Sequence, residues 1–503
     1  MITGDKVKVS RKPEVNKEWL SRELGVGESF DVVCREITFA GRDAALFFID
    51  GFTKDQIMVH ILRTLSMLKR EDLAPDAYKK VFRQYLNYIE VEGLDDLHQV
   101  VDKILAGGVA LVIDGFEEAL FIDAREYPGR KPDEPDLERV VRGSRDGFVE
   151  TIVQNTALLR RRIRDPRLRT EMLEAGSRSK SNICVVYIKD IANSKLVEMV
   201  KEKIKAIKID GLPMAEKSVE ELITPGNFWN PFPRVRYTER PDVAATHLLE
   251  GHVLVMVDTS PSMMILPATF FHHLQHAEEY RQNPPVGVFL RWVRFIGVAV
   301  SVLLPPLWLL VALHPALLPP GLDWIGPKKL GKIPLMWQFL FAEAGIDLMR
   351  MAAIHTPTAL ATALGLIAAV LIGQIAVAAG FFNPEVILYM AIAAVGIFAT
   401  PSYELGMANT LVRIALILGA GLFGLPGVVA VLLGTFLLLM TTKSFGVPYL
   451  WPLIPYDGRS LKAVLLRSPV PMQNVRPPVL HPQDLDRQPS PAMKPLNKRK
   501  KEE

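Results

Sequence analysis

The sequence predicts tandem α/β or α+β domains followed by an all-α polytopic membrane domain. Three observations lead there. Four runs of 18 to 29 residues carry no charge at all, at 295–313, 356–384, 386–403 and 414–442. About 20 apolar residues span a bilayer's hydrocarbon core as a helix. Most of the charge lies before residue 295 and after residue 442. Within the charged N-terminal part, pairs of strand-like segments resemble each other at a near-constant spacing, the mark of an internal repeat. The expected division is an N-terminal tail at 1–24, one subdomain at 25–126, a linker at 127–141, a second subdomain at 142–285, a membrane domain at 286–456, and a basic, proline-rich, disordered tail at 457–503.

The chain opens without an apolar signal segment, since Asp5, Lys6, Lys8, Arg11, Lys12 and Glu14 keep it polar. The N-terminal domains are therefore expected in the cytoplasm. Cys34 and Cys184 lie in apolar, strand-like runs and read as two buried, reduced thiols. The net charge of +4 averages three unlike regions and carries little information.

The repeat is read from two pairs. ILAGGVALVIDG (residues 104–115) resembles LLEGHVLVMVDT (248–259) at an offset of 144, and ALFFIDG (45–51) faces VVYIKDI (185–191) at an offset of 140. In each half an apolar strand ends at an acidic residue and feeds a helix, at 53–68 and 193–206. Later comes a second strand with a turn, Asp114-Gly115 or Asp258-Thr259, and then another strand. This alternation predicts an α/β or α+β sheet domain in each half. The proline, glycine and mixed charge of residues 125–137 mark a linker.

Residues 146–163 read as a helix ending in Arg160, Arg161, Arg162 and Arg164, with Arg142 and Arg145 upstream. Such a cluster suits lipid headgroups or an acidic neighbouring subunit. It equally suits a solvated helix end, where basic residues complement the dipole. Arg142, Arg160, Arg161 and Arg162 are the candidate subunit-interface residues. No stacking aromatics lie among Arg160, Arg161, Arg162 and Arg164, which argues against nucleic acid.

Arg281, Arg291 and Arg294 precede the first run. Lys443, Arg459, Lys462, Arg467 and the terminal lysines follow the last. Positive charge marks the cytoplasmic side, so both termini are expected there. That requires an even number of crossings, and four fit: 295–313, 356–380, 386–403 and 414–442. Residues 333–351 read as an interfacial or re-entrant helix. It carries Glu343 and Asp347 on one face, and acidic groups at membrane depth line water or meet a partner. In a ring of subunits they would concentrate cations; otherwise they pair with Arg350 or nearby lysines. In the second span Gly365, Ala369 and Gly373 recur every fourth residue, a face that permits close helix approach. Gln374 follows as a polar group. These six residues are the candidate pore or gate. Gly419, Gly421, Gly424, Pro426 and Gly427 would kink or break the last run.

Two motifs suggest metal and are set aside. Asp258-x-Ser260-x-Ser262 after a strand resembles the opening of a magnesium site, but no other ligand loops accompany it. His272, His276 and Glu279 would share one helical face with zinc spacing, as would any helix near a membrane surface. No phosphate-binding, dinucleotide-binding or hydrolase motif occurs, so no metal, cofactor or enzyme activity is expected.

The chain resembles the A-subunit family of bacterial spore germinant receptors. The matching stretches are EPDLERVVRGSRDGFVETIVQNTALLRRRIR (134–164), YTERPD (237–242), LEGHVLVMVDTSP (249–261), EAG (343–345) and KSFGVPYLWPLIP (443–455). The resemblance runs from about residue 25 to about residue 470. REYPGRKPDEPD (125–136), EAGIDLMRMAAIHTP (343–357) and ATPSYEL (399–405) carry a closer match to one branch. Ser144 and Asp146 stand where the family usually has proline and glutamate. The resemblance implies an integral protein of the endospore inner membrane, acting in germination as a ring oligomer beside other integral membrane germination proteins. It brings no catalytic residues. The function expected is an oligomeric channel releasing monovalent cations. The alternative is a non-conducting scaffold for germinant receptors. A weaker alternative is a part of dipicolinic acid transport, for which a basic pore lining is expected and the four runs hold no lysine or arginine.

Overall fold

A computed structural model describes residues 6–86, 88, 90–127, 138, 140–224, 229–318, 321, 325–327, 331–355 and 374–488. The chain divides into two units. One holds Met1–Pro225, Tyr237–Pro267 and Val470–Glu503, the other Gly226–Arg236 and Ala268–Pro469.

The first unit contains the repeat as two five-stranded sheets of one plan. Strands β1 (Val32–Phe39), β2 (Arg42–Ile49), β3 (Val91–Leu94), β4 (Val109–Ile113) and β5 (Ala119–Ile122) lie in the order β1-β2-β4-β5-β3. Strands β6 (Leu168–Ala175), β7 (Ser181–Ile188), β8 (Arg236–Thr238), β9 (Val253–Val257) and β10 (Met263–Leu266) repeat it as β6-β7-β9-β10-β8. Neighbouring strands of the first sheet run antiparallel. Of the two readings held open, the α+β one therefore describes it better. In β4 and β9 every residue is buried, so these strands are continuous apolar runs rather than alternating ones. Those runs are the segments that made the repeat visible.

The register corrects one offset. Ala44 faces Ile113 as Ile183 faces Val257, and Phe47 faces Ala110 as Val186 faces Leu254. The second strands are thus related by 139 residues, not 140. In a sheet a slip of one residue exchanges the two faces, so burial selects the structural offset.

The helices repeat as well. α1 (Pro13–Leu24), α2 (Asp55–Ser66) and α3 (Leu97–Leu105) correspond to α4 (Ile152–Arg162), α5 (Ser194–Lys205) and a later α7 (Pro241–Glu250); α6 (Ala215–Ile223) precedes α7. Residues 13–24, expected within a tail, are a helix with Leu20 and Leu24 buried. α4 begins later than the expected residue 146. Buried Asn155 folds back on Val149, accepting from its N–H at 2.8 Å and donating to its carbonyl at 2.5 Å. Asn16 does the same to Ser10, at 2.8 and 2.6 Å. An asparagine that serves both backbone groups of residue i−6 holds the entry to each helix in a non-helical turn.

The second unit is helical. α8 (Pro284–Leu313) and α11 (Tyr403–Phe423) are long and apolar enough to cross a membrane, while α10 (Pro384–Phe398) and α12 (Leu425–Thr441) are shorter apolar helices. α9 (Leu335–His355) occupies the segment expected as an interfacial or re-entrant helix. The run at 414–442, expected as one span, is two helices. Gly424 breaks it at φ 62°, and Pro426 follows within the first turn of α12. Of the expected span at 356–380, residues 356–373 lie outside the described residues. Trp308, Leu309, Phe339, Met390, Leu416 and Ile417 form the buried centre.

The tail expected to be disordered is largely built in. α13 (Gly458–Leu465) is capped by Asp457, which accepts from the N–H groups of Arg459 and Ser460. Further on, in the first unit, residues 470–488 form a strap. Arg476 donates to the carbonyls of Leu249 and Asp484, each at 2.9 Å, and to that of Asp486. Gln483 donates to the carbonyls of Lys189 and Ala192 at 3.0 and 2.6 Å. Composition alone hides this order, because side chains bind distant backbone where no periodic pattern exists.

Candidate functional site: buried charges among the apolar helices

The first long apolar helix, α8, contains Pro305 and Pro306. Proline lacks an N–H, so the Ser301 carbonyl loses its helical donor. Arg413 of α11 supplies one, its Nη1 lying 2.8 Å from the Ser301 oxygen. The same guanidinium grips Glu343 of α9. Nε donates to Oε2 at 2.8 Å, and Nη2 donates to Oε1. Arg413 is 0 % and Glu343 2 % exposed. One side chain thus ties three apolar helices together and satisfies a carbonyl that proline freed. A bidentate, fully desolvated pair is costly to bury but strong once made, and removing one partner leaves an uncompensated charge.

Nearby, α8 and α10 approach at two glycines. A Cβ placed on Gly396 would lie 2.3 Å from the Gly297 oxygen and 2.7 Å from Ser301 Cβ. Gln338 of α9 donates to the Ile333 carbonyl at 2.6 Å, and its own oxygen accepts from the Asn383 N–H at 2.7 Å, at the start of α10.

At the N-terminal end of α8, buried Glu279 meets Arg291 at 2.6 Å and also Arg294. Arg291 further donates to the carbonyls of Ala463 and Val464 at 3.0 and 2.7 Å, capping the C-terminal end of α13. Two of the arginines read as topology markers are therefore ligands of one carboxylate. The set His272, His276 and Glu279 does not assemble on one helical face. Residues 270–274 form a 3-10 turn, His276 caps the short helix at 277–281, and Glu279 is taken by the arginines. Asp258, Ser260 and Ser262 likewise have partners within the chain: Asp258 accepts from the Ile152 N–H at 3.4 Å, Ser260 accepts from the Ser262 N–H at 3.2 Å, and Ser262 donates to Glu239 at 3.2 Å.

The sequence-predicted pore residues separate into three groups. Glu343 is buried against Arg413. Asp347 is half-buried, 3.4 Å from Arg350. Gln374 is exposed on a helical turn, while Gly365, Ala369 and Gly373 lie outside the described residues. Arg413 went unread because it sits between two uncharged runs. The premise that the spans hold no arginine is corrected: α11 carries one at its middle, neutralised by Glu343. Two acids, Glu343 and Asp347, with the single Arg350 on one apolar helix were the available signal, since an acid left over there requires a partner.

The expected interface arginines also separate. Arg160 is buried inside the chain, with Nε and Nη2 on the two Asp31 oxygens at 2.5 and 2.8 Å. Thr170 donates to the same carboxylate at 2.6 Å. Asp31 precedes β1 and Thr170 lies in β6, so this cluster joins the two subdomains rather than two subunits. Arg161 lies over the Tyr127 ring at 4.9 Å. Arg162 pairs with Asp146 at 2.7 Å, and Arg142 is exposed. Burial pushes the Cys184 thiol well above its usual range and raises the half-buried Cys34 as well. Burial also lowers His273 to about 3, aided by the positive Arg236.

Residues 18–479 match the family described as Bacillus/Clostridium GerA spore germination protein. Stage V sporulation protein AF of Bacillus subtilis (strain 168) is 50 % identical over 486 residues, covering 97 % of this chain and 98 % of that protein. Spore germination protein B1 of the same organism is 31 % identical, covering 94 % and 98 %. Spore germination protein GerLA of Bacillus cereus is 30 % identical, covering 94 % and 96 %. Among solved structures, the N-terminal domain of the A subunit of the Bacillus megaterium spore germinant receptor GerK3 matches 53 % of this chain and 99 % of that one. It is 26 % identical with a TM-score of 0.42. Long, nearly end-to-end identity of this kind leaves one assignment: the chain belongs to the GerA family of spore germination proteins.

Proposed function

We propose that the chain is a subunit of an oligomeric channel that passes monovalent cations across the spore inner membrane at germination. The observation that carries this reading is a set of apolar stripes on the helices of the second unit. Trp337, Phe341, Leu348 and Met351 are exposed along α9, and Leu388, Ile392, Val395 and Phe398 along α10. Val429, Leu433, Phe436 and Met440 do the same on α12. Faces of this size demand lipid or other subunits. Asp347 and exposed Gln374 are two polar groups, among the described residues, available to such a shared surface. In a ring each would recur once per subunit and attract cations.

The alternative, a non-conducting scaffold for receptor proteins, has its own observation. Glu343 and Asp347 both have arginine partners within the chain, so little net charge remains for an ion path. Potassium flux against a small anion separates the two readings. The full chain would be reconstituted in liposomes, its oligomeric state verified, and Asp347→Asn and Gln374→Leu compared with wild type. Cation-selective flux altered by either substitution supports the channel. A verified oligomer that stays impermeable, alone and with germination membrane partners, supports the scaffold.

A further inference from the structure

We propose that His247, Glu250 and His252 form a binding site for a divalent transition-metal ion, zinc foremost. Helix α7 ends at Glu250, and the chain leaves it through Gly251 at φ 103°, a left-handed turn suited to glycine. The turn puts His247 on the last helical turn and His252 at the entry to β9. One imidazole nitrogen from each histidine and one Glu250 oxygen lie within 4.8 Å of one another. Both histidines are buried and Glu250 is half-buried. Their rings meet edge to face with centroids 5.0 Å apart. His247 Nδ1 lies 2.9 Å from the Val243 carbonyl. Donation there fixes the tautomer, the support that metal-bound histidines commonly receive.

The internal repeat shows that this cluster is no requirement of the fold. Gly108 donates to the Lys103 carbonyl at 3.1 Å just as His252 donates to that of His247 at 3.0 Å. The first repeat builds the same turn with Lys103, Ala106 and Gly108 at the three positions. Two imidazoles and a carboxylate suit zinc and its neighbours, whereas calcium and magnesium prefer oxygen alone. The expectation of no metal rested on two other motifs, Asp258-x-Ser260-x-Ser262 and the set His272, His276 and Glu279, neither of which includes these residues.

The strap seats on this same turn. Arg476 holds the Leu249 carbonyl, and Arg487 Nη1 lies 3.3 Å from Glu250 Oε1. A dication would compete with Arg487 for that carboxylate, so loading loosens the strap's end. The test uses the full chain in lipid nanodiscs, stripped with a chelator and then equilibrated with zinc or cobalt at low micromolar free concentration. Expected are about one metal per chain and a tetrahedral cobalt absorption. Both should weaken roughly tenfold or more in His252→Asn and in Glu250→Gln, and tighten in Arg487→Ala. Wild type without stoichiometric metal overturns the proposal whatever the variants do. So does a double His247→Asn/His252→Asn variant that binds as wild type does.

Discussion

Replacing Glu343 by glutamine keeps the side chain's shape and removes the charge opposite Arg413. The guanidinium stays buried with two of its bonds directed at a neutral amide. Removing one partner of a buried pair costs about 3–5 kcal/mol. Arg413→Met leaves the Glu343 carboxylate unpaired, a similar cost. It also strips the Ser301 carbonyl of the donor that Pro305 cannot supply, adding about 1–3 kcal/mol. The double variant Glu343→Leu/Arg413→Met loses only that carbonyl's partner. It should therefore be more stable than either single variant, by about 2 kcal/mol or more over the milder one. Reversible denaturant unfolding of the full chain in nanodiscs reads all four corners of the cycle. Additive single effects, or a Glu343→Gln variant within about 0.5 kcal/mol of wild type, would refute a desolvated and coupled pair.

Other perturbations have equally definite outcomes. His273 is held neutral, with its pKa lowered to about 3 in the fold against 6.5 as its ordinary value. The unfolded chain therefore takes up a proton that the native chain refuses. Stability is full above about pH 6.5 and falls as pH drops towards 3, by about 2 kcal/mol at pH 5; a pH series of melts on His273→Leu should be correspondingly flatter. Asn16→Ala and Asn155→Ala each strip two part-buried backbone groups of a partner, and each should cost about 1–3 kcal/mol in urea unfolding. Near-equal values would reflect the repeat. Gly396→Val drives a side chain into Gly297 and should destabilise the α8–α10 contact by about 1–3 kcal/mol, seen as a lower melting temperature. Gly434→Ala, where a Cβ meets nothing within 4 Å, is the matched control.

Much of this protein was legible along the chain. The apolar runs, the repeat and the family stretches all show in local order. β4 and β9 were readable because central strands, buried on both faces, are apolar without interruption. Other features were hidden by the same locality. The 140-residue offset aligned Asp50 with Asp190 by identity, whereas pairing with β4 and β9 sets 139 and aligns it with Lys189. In the uncharged run at 414–442 the glycines and Pro426 announced a kink or break, and the structure places it at Gly424, whose positive backbone angle a hydropathy sum does not register.

The sequence by itself determined which segments are apolar and which family the chain belongs to, because hydropathy and identity add up residue by residue. Only the tertiary structure decided which charge meets which. Glu343 and Arg413 are 70 residues apart, and Asp31 and Arg160 are 129 apart. Whether a buried charge is a pore lining, a subunit contact or an internal clamp depends on the partner that packing brings within hydrogen-bond reach. Order along the chain contains no term for that distance.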